Sequence, residues 1–226
     1  MTVEELKRAA ARAALDHLPE AGVIGLGSGT TAAAFIEELA PLVLAGRRYI
    51  GVPTSEATRG LAAGLGIPLL DDEGPWGINV CVDGADEVSA GLDLIKGGGY
   101  SHAREKIVSA AAALRVTIVD EYKLSDRLGE RRAVPVEVLV FGHRQTALAL
   151  AEFGAVRLRE RGGRPAISDA GNLIYDIDVG PMERPADVDA ALHAIPGVVE
   201  TGLFIGHTDI LIVGAAAGVR IVRAGA

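Results

Sequence analysis

Four stretches of the chain concentrate residue types that act on small anions and polyols. The first is Gly25-Leu26-Gly27-Ser28-Gly29-Thr30-Thr31, between an apolar run that reads as a strand and an alanine-rich run that reads as a helix. Glycine lets the backbone turn with its amides inward, and a helix start adds partial positive charge, an arrangement that suits phosphate. The hydroxyls of Ser28, Thr30 and Thr31 supply further donors. A dinucleotide fingerprint needs a third glycine and an acid closing the next strand. Here Thr30 or Ala32 takes the glycine position, and Val52-Pro53-Thr54 stands where the acid belongs. A tight turn with a purely structural role is the other reading.

The second stretch, Val82-Asp83-Gly84-Ala85-Asp86-Glu87, ends an apolar run. Carboxylates gathered at the end of a parallel strand raise one another's pKa and need donors. They bind a cation, hold the hydroxyls of a polyol, or form an acidic surface turn. The third stretch runs Lys96-Gly97-Gly98-Gly99-Tyr100-Ser101-His102-Ala103-Arg104-Glu105-Lys106. Consecutive glycines cost backbone entropy and pack nothing, so they point to close approach of a ligand or an awkward turn. Lys96 ends a strand and Glu105 opens a helix. A carboxylate to take a proton beside a carbonyl, with an ammonium and amides on the oxygens, is the equipment an enediolate needs. The alternative is that Glu105 only complements the helix dipole. His102 is the rival base, disfavoured because its neighbourhood lacks the orienting carboxylate that a triad needs; His143 reads as a surface or capping residue. The fourth stretch, Val119-Asp120-Glu121-Tyr122-Lys123-Leu124, offers Lys123 as a phosphate or oxyanion contact, or as a solvated side chain. No Ser or Cys nucleophile motif and no paired-His metal spacing occurs, so no metal is expected.

The elements that must position these residues follow an alternating beat. A capping box, Thr2 with Glu5, opens a helix to about His17. Strands are expected at 23–26, 49–52, 67–70, 78–82, 92–95 and 116–119, with helices at 32–39, 55–63 and 102–114. Strands alternating with helices imply a parallel sheet covered on both faces. After Gly129 the order becomes strand, helix, strand, strand, helix, strand: 136–140, 143–152, 156–158, 173–177, 186–194 and 198–204. That is the ferredoxin-like split unit. Strands at 210–213 and 219–222 return to the first sheet. The expected fold is therefore α/β: a Rossmann-like, mostly parallel sheet with helices on both faces over 1–128 and 205–226, plus an inserted, smaller ferredoxin-like α+β domain over 129–204.

Bulk properties narrow the function classes. The 226 residues are 49% hydrophobic and 23% charged, which excludes a disordered chain. The net charge of −8 and the 4% aromatic content argue against a nucleic-acid partner, which needs a basic stripe and stacking platforms. The single cysteine, Cys81, rules out an internal disulfide and reads as a core residue in a strand. No apolar run is long enough for a membrane span, and the acidic start is unlike a signal peptide, so the expected location is cytoplasmic.

In this order the motifs resemble those of the ribose-5-phosphate isomerase A family. The likeness rests on Gly25 to Ala32, Thr54-Ser55-Glu56-Ala57-Thr58, Asp83-Gly84-Ala85-Asp86-Glu87, Lys96-Gly97-Gly98-Gly99 and Arg104-Glu105-Lys106-Ile107-Val108. It continues through Lys123-Leu124, Pro135-Val136-Glu137-Val138, Asp169 to Asn172, Ile195-Pro196-Gly197-Val198-Val199 and Gly202-Leu203-Phe204. The resemblance implies a catalytic Glu105 passing a proton between C2 and C1 of a sugar phosphate, with Asp83 and Lys96 assisting. It implies that Asp83, Gly84, Ala85, Asp86, Lys96, Gly97, Gly98 and Gly99 surround the sugar, and that Lys7, Ser28, Gly29, Thr30, Thr31 and Lys123 surround the phosphate. It also implies action without a cofactor, a homodimer or dimer of dimers, and a place in the pentose phosphate pathway. Tyr100-Ser101-His102 departs from the small apolar stretch the family pattern has after the glycines. Three rivals stand beside this reading: a sugar-phosphate sensor without turnover, a magnesium-dependent phosphate-transfer enzyme using Asp83, Asp86 and Glu87, and a coenzyme-A transferase.

Overall fold

The structure, a computed structural model, describes residues 1–225. The chain begins α1 (Val3–Ala14), β1 (Ala21–Leu26), α2 (Thr30–Leu44), β2 (Arg48–Pro53), α3 (Glu56–Gly64) and β3 (Ile78–Asp83). It continues with β4 (Glu87–Val88), β5 (Leu94–Ile95), α4 (His102–Ala110), β6 (Ala112–Asp120), β7 (Val134–Val138), α5 (His143–Leu150) and β8 (Ala155–Leu158). The remainder is β9 (Glu160–Arg161), β10 (Arg164–Pro165), β11 (Leu173–Asp178), α6 (Pro185–His193), β12 (Val198–Thr201), β13 (Leu203–Phe204), β14 (Ile210–Ala215) and β15 (Gly218–Arg223). The capping box at the start of α1 is present, with the Glu5 amide donating to Thr2 and the Thr2 amide to Glu5.

Contacts divide the chain into two units: residues 1–85, 105–123 and 207–226 form the first, and 86–104 with 124–206 form the second. The first is built on a six-stranded sheet in the order β15-β14-β6-β3-β1-β2. Its neighbours pair in parallel, except for the antiparallel edge strand β15. This is the α/β class expected. Both faces are covered, as parallel sheets require. Ile24, Leu26, Val80, Val82, Val116, Ile118, Ile210 and Ile212 bury against α1 and α2 through Ala10, Ala14, Phe35, Ile36 and Leu39. Cys81 joins Val52, Ile78 and Val108 of α4 in another buried cluster. The chain leaves β1 to one side for β2 and returns on the other side for β3, so the winding reverses between β1 and β3. In open α/β sheets that reversal opens a crevice outside the carboxyl ends of the two strands.

The second unit holds a four-stranded sheet, order β12-β7-β11-β8, antiparallel throughout. Its buried cluster includes Leu128, Val134, Val136, Val138, Leu150, Ile177, Leu192 and Leu203, together with Ile95 from residues 86–104. A three-stranded sheet, order β13-β5-β4, supplies that link.

Several boundaries differ from expectation. The helix expected to reach Leu114 stops at Ala110, and β6 begins at Ala112, because Ala112 and Leu114 pair with Ile78 and Val80. Residues 67–70 make only an isolated bridge, Leu69 to Gly51, instead of a strand. The run 198–204 is two strands divided at Gly202, whose N–H donates to Pro135 O (2.6 Å) and whose carbonyl accepts from Lys96 N–H (2.9 Å).

Candidate active site

In the first unit the predicted residues converge on the carboxyl edge at the β1–β3 reversal. As β1 ends, Gly27 N–H donates to Val82 O (3.0 Å). The Asp83 carboxylate, at the end of β3, then accepts from the Ser28 amide (3.0 Å) and from the Gly84 amide (2.7 Å) through Oδ1. Two amides on one carboxylate oxygen fix its orientation. Gly27 makes the approach possible: a Cβ there would stand 2.1 Å from Asp83 Oδ1 and 2.6 Å from its Cα. Gly84 and Ala85 follow directly, and the Cβ position of Gly84 lies 3.8 Å from Thr31.

Ser28, Gly29, Thr30 and Thr31 form the junction of β1 with α2, which begins at Thr30 with no side-chain cap on its first turn. Those first-turn amides have no intrahelical partner and carry the positive end of the helix dipole. Behind the loop, Ser28 Oγ lies 2.7 Å from Thr54 Oγ1, 2.8 Å from Ser55 Oγ and 3.3 Å from Thr58 Oγ1. Thr58 in turn donates to Gly27 O (2.9 Å) and Thr54 to Leu26 O (3.1 Å). This hydroxyl brace was absent from the predicted site. Its signal was the Thr-Ser-x-x-Thr spacing at the end of β2, the strand paired with β1.

Glu105 lies in the first turn of α4 and is 3% exposed. Val108, one turn later on the same helix face, packs against Gly25 and Cys81, where a Gly25 Cβ would come within 2.9 Å of it. Glu105 therefore lies toward the carboxyl ends of β1 and β3. Lys123 closes a short helical turn, Glu121–Lys123, just beyond β6. Lys7 lies on α1, whose Leu6 carbonyl sits against Gly214, and Gly214 pairs with Asp120 at the same edge. The Lys7 ammonium bonds Glu4 (2.7 Å).

The second unit holds the remaining predicted residues. Asp86 Oδ2 accepts from the Gly98 amide (2.8 Å), and its own N–H donates to Ile95 O (2.9 Å). Lys96 is 5% exposed, with its ammonium 5.5 Å from the centroid of the Phe204 ring. Glu87, third of the clustered acids, is buried; it accepts from Ser125 Oγ (2.7 Å), Gly129 N–H (3.1 Å) and Arg131 N–H (3.2 Å). Among the described residues no group of three or more His, Cys, Asp or Glu side chains is placed to hold a metal ion.

Two histidines have partners that the sequence does not show. His102 does have a carboxylate nearby: its Nε2 stands 4.0 Å from Glu137 Oε2, and both side chains are wholly buried. The partner was invisible in sequence because it comes from β7. His143 stands, half-buried, at the start of α5, as a surface or capping reading expects, and its Nδ1 lies 2.6 Å from the Tyr175 hydroxyl.

Residues 50–218 match the family model described as ribose 5-phosphate isomerase A (phosphoriboisomerase A). A ribose-5-phosphate isomerase A of Gloeobacter violaceus is 44% identical over 223 residues, covering 98% of this chain and 97% of its own. That of Thermococcus kodakarensis is 40% identical over 225 residues, covering 97% and 98%. The chain belongs to the ribose 5-phosphate isomerase A family. Solved structures agree. A D-ribose-5-phosphate isomerase in complex with phospho-erythronic acid superposes with a TM-score of 0.95 at 38% identity, covering 99% of this chain and 100% of its own. The ribose 5-phosphate isomerase A of Methanocaldococcus jannaschii gives 0.90 at 38% identity, covering 98% and 100%. At Tyr100 the backbone takes a positive φ of 70°, unusual for a bulky residue. No helix among the described residues is long and apolar enough to cross a membrane.

Proposed function

We propose that this chain interconverts ribose 5-phosphate and ribulose 5-phosphate through an enediolate, with Glu105 carrying the proton between C2 and C1. The observation that carries the reading is Glu105 itself: a buried carboxylate at the carboxyl edge of the sheet, toward Gly27 and Asp83, in a chain whose full-length relatives are isomerases. Burial keeps water from competing for the proton, and a positioned carboxylate is the usual base beside a carbonyl. The uncapped start of α2, with Ser28, Gly29, Thr30 and Thr31, suits a phosphate, and Lys7 and Lys123 add cations at the same edge. Asp83 and Asp86 hold sugar hydroxyls. Lys96 and the amides of Gly97 to Gly99 stabilise the oxyanion more than the neutral sugar, and such differential binding is what lowers the barrier. Phospho-erythronic acid, the ligand in the related complex, carries a carboxylate and a phosphate on a polyhydroxylated chain. That charge pattern is the one an enediolate of a sugar phosphate develops. The resemblance also carries cytoplasmic action as a homodimer or dimer of dimers, without a cofactor.

The deciding assay follows ribulose 5-phosphate formation from ribose 5-phosphate with chelator present, for wild type and Glu105→Gln. Turnover by the wild type is expected to persist in chelator, and the variant to lose about 10²- to 10⁴-fold in kcat, as removal of a general base does. Run in D₂O, the wild-type reaction should place solvent deuterium on carbon. A Glu105→Gln enzyme with near-wild-type kcat would reject the assignment.

A further inference from the structure

The peptide between Gly97 and Gly98 is held from both ends. Its N–H, on Gly98, donates to Asp86 Oδ2 at 2.8 Å. Its carbonyl, on Gly97, accepts from Arg159 Nη1 at 2.5 Å and, more weakly, from the Tyr100 amide at 3.3 Å. A trans peptide points its C=O and N–H in opposite directions. Whatever holds the carbonyl therefore aims the amide. Between two glycines the plane has little steric resistance to flipping, and a flipped plane would turn a carbonyl oxygen toward the Asp86 carboxylate.

Arg159 is built to prevent that. Its guanidinium is forked onto Asp176, Nε to Oδ2 at 3.0 Å and Nη2 to Oδ1, which leaves Nη1 for Gly97. The two side chains are 13% and 11% exposed. The guanidinium carbon also lies 5.3 Å from the centroid of the Tyr100 ring, close enough for a cation–π contact. That contact, at the far end of the same turn, accompanies the unfavourable positive φ of Tyr100. On the inner side, Gly97 adopts a φ of 114° against His102 and Pro135, where a Cβ would come within 2.9 and 3.1 Å. Asp86, Gly98, Tyr100, Arg159 and Asp176 line one cavity of about 380 Å³, so the fixed amide and carboxylate face open space.

We propose that Arg159, anchored by Asp176, is a positioning residue that locks the Gly97–Gly98 peptide and thereby orients Asp86 for substrate. This rests on the proposed isomerase reading for its consequence, although the lock itself does not. Arg159→Met keeps length without the fork, and Arg159→Lys keeps charge without the fork. In full-length protein labelled with ¹⁵N-glycine, both variants should shift the Gly98 amide proton upfield and speed its exchange, while the Gly84 amide, bonded to Asp83, stays in place. Isomerisation should fall about 10²-fold in kcat with less change in KM, the scale expected when a mutation away from the chemistry misplaces the bound substrate by about 1 Å. If Arg159 acts through Asp86, Arg159→Met combined with Asp86→Asn should be no slower than Asp86→Asn alone. Should Arg159→Met fail to fold, Arg159→Lys carries the same measurements.

An unmoved Gly98 amide in Arg159→Lys, or losses that multiply in the double variant, would overturn the proposal. A Gly98 amide that moves as expected in a protein that never isomerises ribose 5-phosphate would sustain the lock and reject the function.

Discussion

The acids of the 83–87 segment are chemically alike and have three different fates. Asp83 takes two amides from its own sheet edge, Asp86 takes the Gly98 amide, and Glu87 turns inward to three donors. Sequence spacing marks the cluster but cannot sort it, because the Glu87 donors stand 38 to 44 residues further along the chain. For the same reason the Arg159 fork was not legible, since Asp176 arrives from β11, and the Ser28 brace showed only as a hydroxyl spacing, because Ser55 and Thr58 come from the start of α3. What was legible is the pair of ends, glycines beside a helix start and a glutamate opening a helix, since both follow from local backbone chemistry. The inward fate of Glu87 yields a prediction at this scale. Glu87→Ala leaves the Ser125 hydroxyl and the Gly129 and Arg131 amides without their acceptor. A fully buried donor left unsatisfied costs about 1–3 kcal/mol; here Ser125 and Gly129 are half-buried and Arg131 is exposed, so the total loss falls at the low end of that range. The denaturation midpoint should fall clearly, while the kcat of the folded fraction stays near wild type. A variant as stable as wild type would show that these donors find water instead.

Among elements, alternation of apolar strands and helices was enough to read the parallel sheet, because fully buried strands are short apolar runs bounded by glycine and polar residues. Boundaries failed where pairing overrides local preference. Residues 110–114 form an alanine-rich run with high helix propensity, yet Ala112 and Leu114 are drawn into pairing with β3. The join of β6 with β14 carries a further device. Arg115 donates from its backbone (2.7 Å), Nε (2.9 Å) and Nη2 (2.7 Å) to the Asp209 carboxylate, just before β14. These bonds hold the Asp209 pKa below its ordinary value of 3.8 and raise that of Arg115. A carboxyl group with a depressed folded pKa stabilises the fold fully above its unfolded value and loses that contribution as pH falls through the folded one. Asp209→Asn should therefore lower stability at neutral pH by on the order of 1 kcal/mol, a discounted figure for a partly exposed pair. The gap should be full above about pH 3.8 and narrow progressively as pH falls below it, through the depressed pKa of folded Asp209. Melting curves of both proteins between pH 7 and pH 2.5 test this, and a difference independent of pH would rule the pair out as its source.

At the scale of the whole molecule, the chain passes between the two units at residues 85/86, 104/105, 123/124 and 206/207, so the first unit consists of three segments and the second of two. The change of pattern after Gly129 marks the stretch 129–204, which holds β7 to β13. Local pattern cannot reveal what that stretch depends on outside itself. Among the described residues β13 pairs only with β5, Ile95 of β5 belongs to the buried cluster of β7 and β11, and Glu87 serves Gly129 and Arg131. Lys96 N–H also caps the Gly202 carbonyl between β12 and β13 (2.9 Å). Residues 124–206 produced alone would expose the face that Ile95 covers, leave β13 without a ladder and strand the donors of Glu87. Partly buried donors without their acceptor and a missing core residue both erode cooperativity. The piece should therefore melt broadly and bind an apolar dye. Joining residues 86–104 to it through a flexible glycine–serine linker should restore a sharp transition, because loop closure adds only about 0.6 kcal/mol per doubling of linker length, less than the burial of one Ile side chain returns. Sharp melting of 124–206 without that segment would mean that β4 and β5 dock onto an already complete fold, and that Glu87 is dispensable to it.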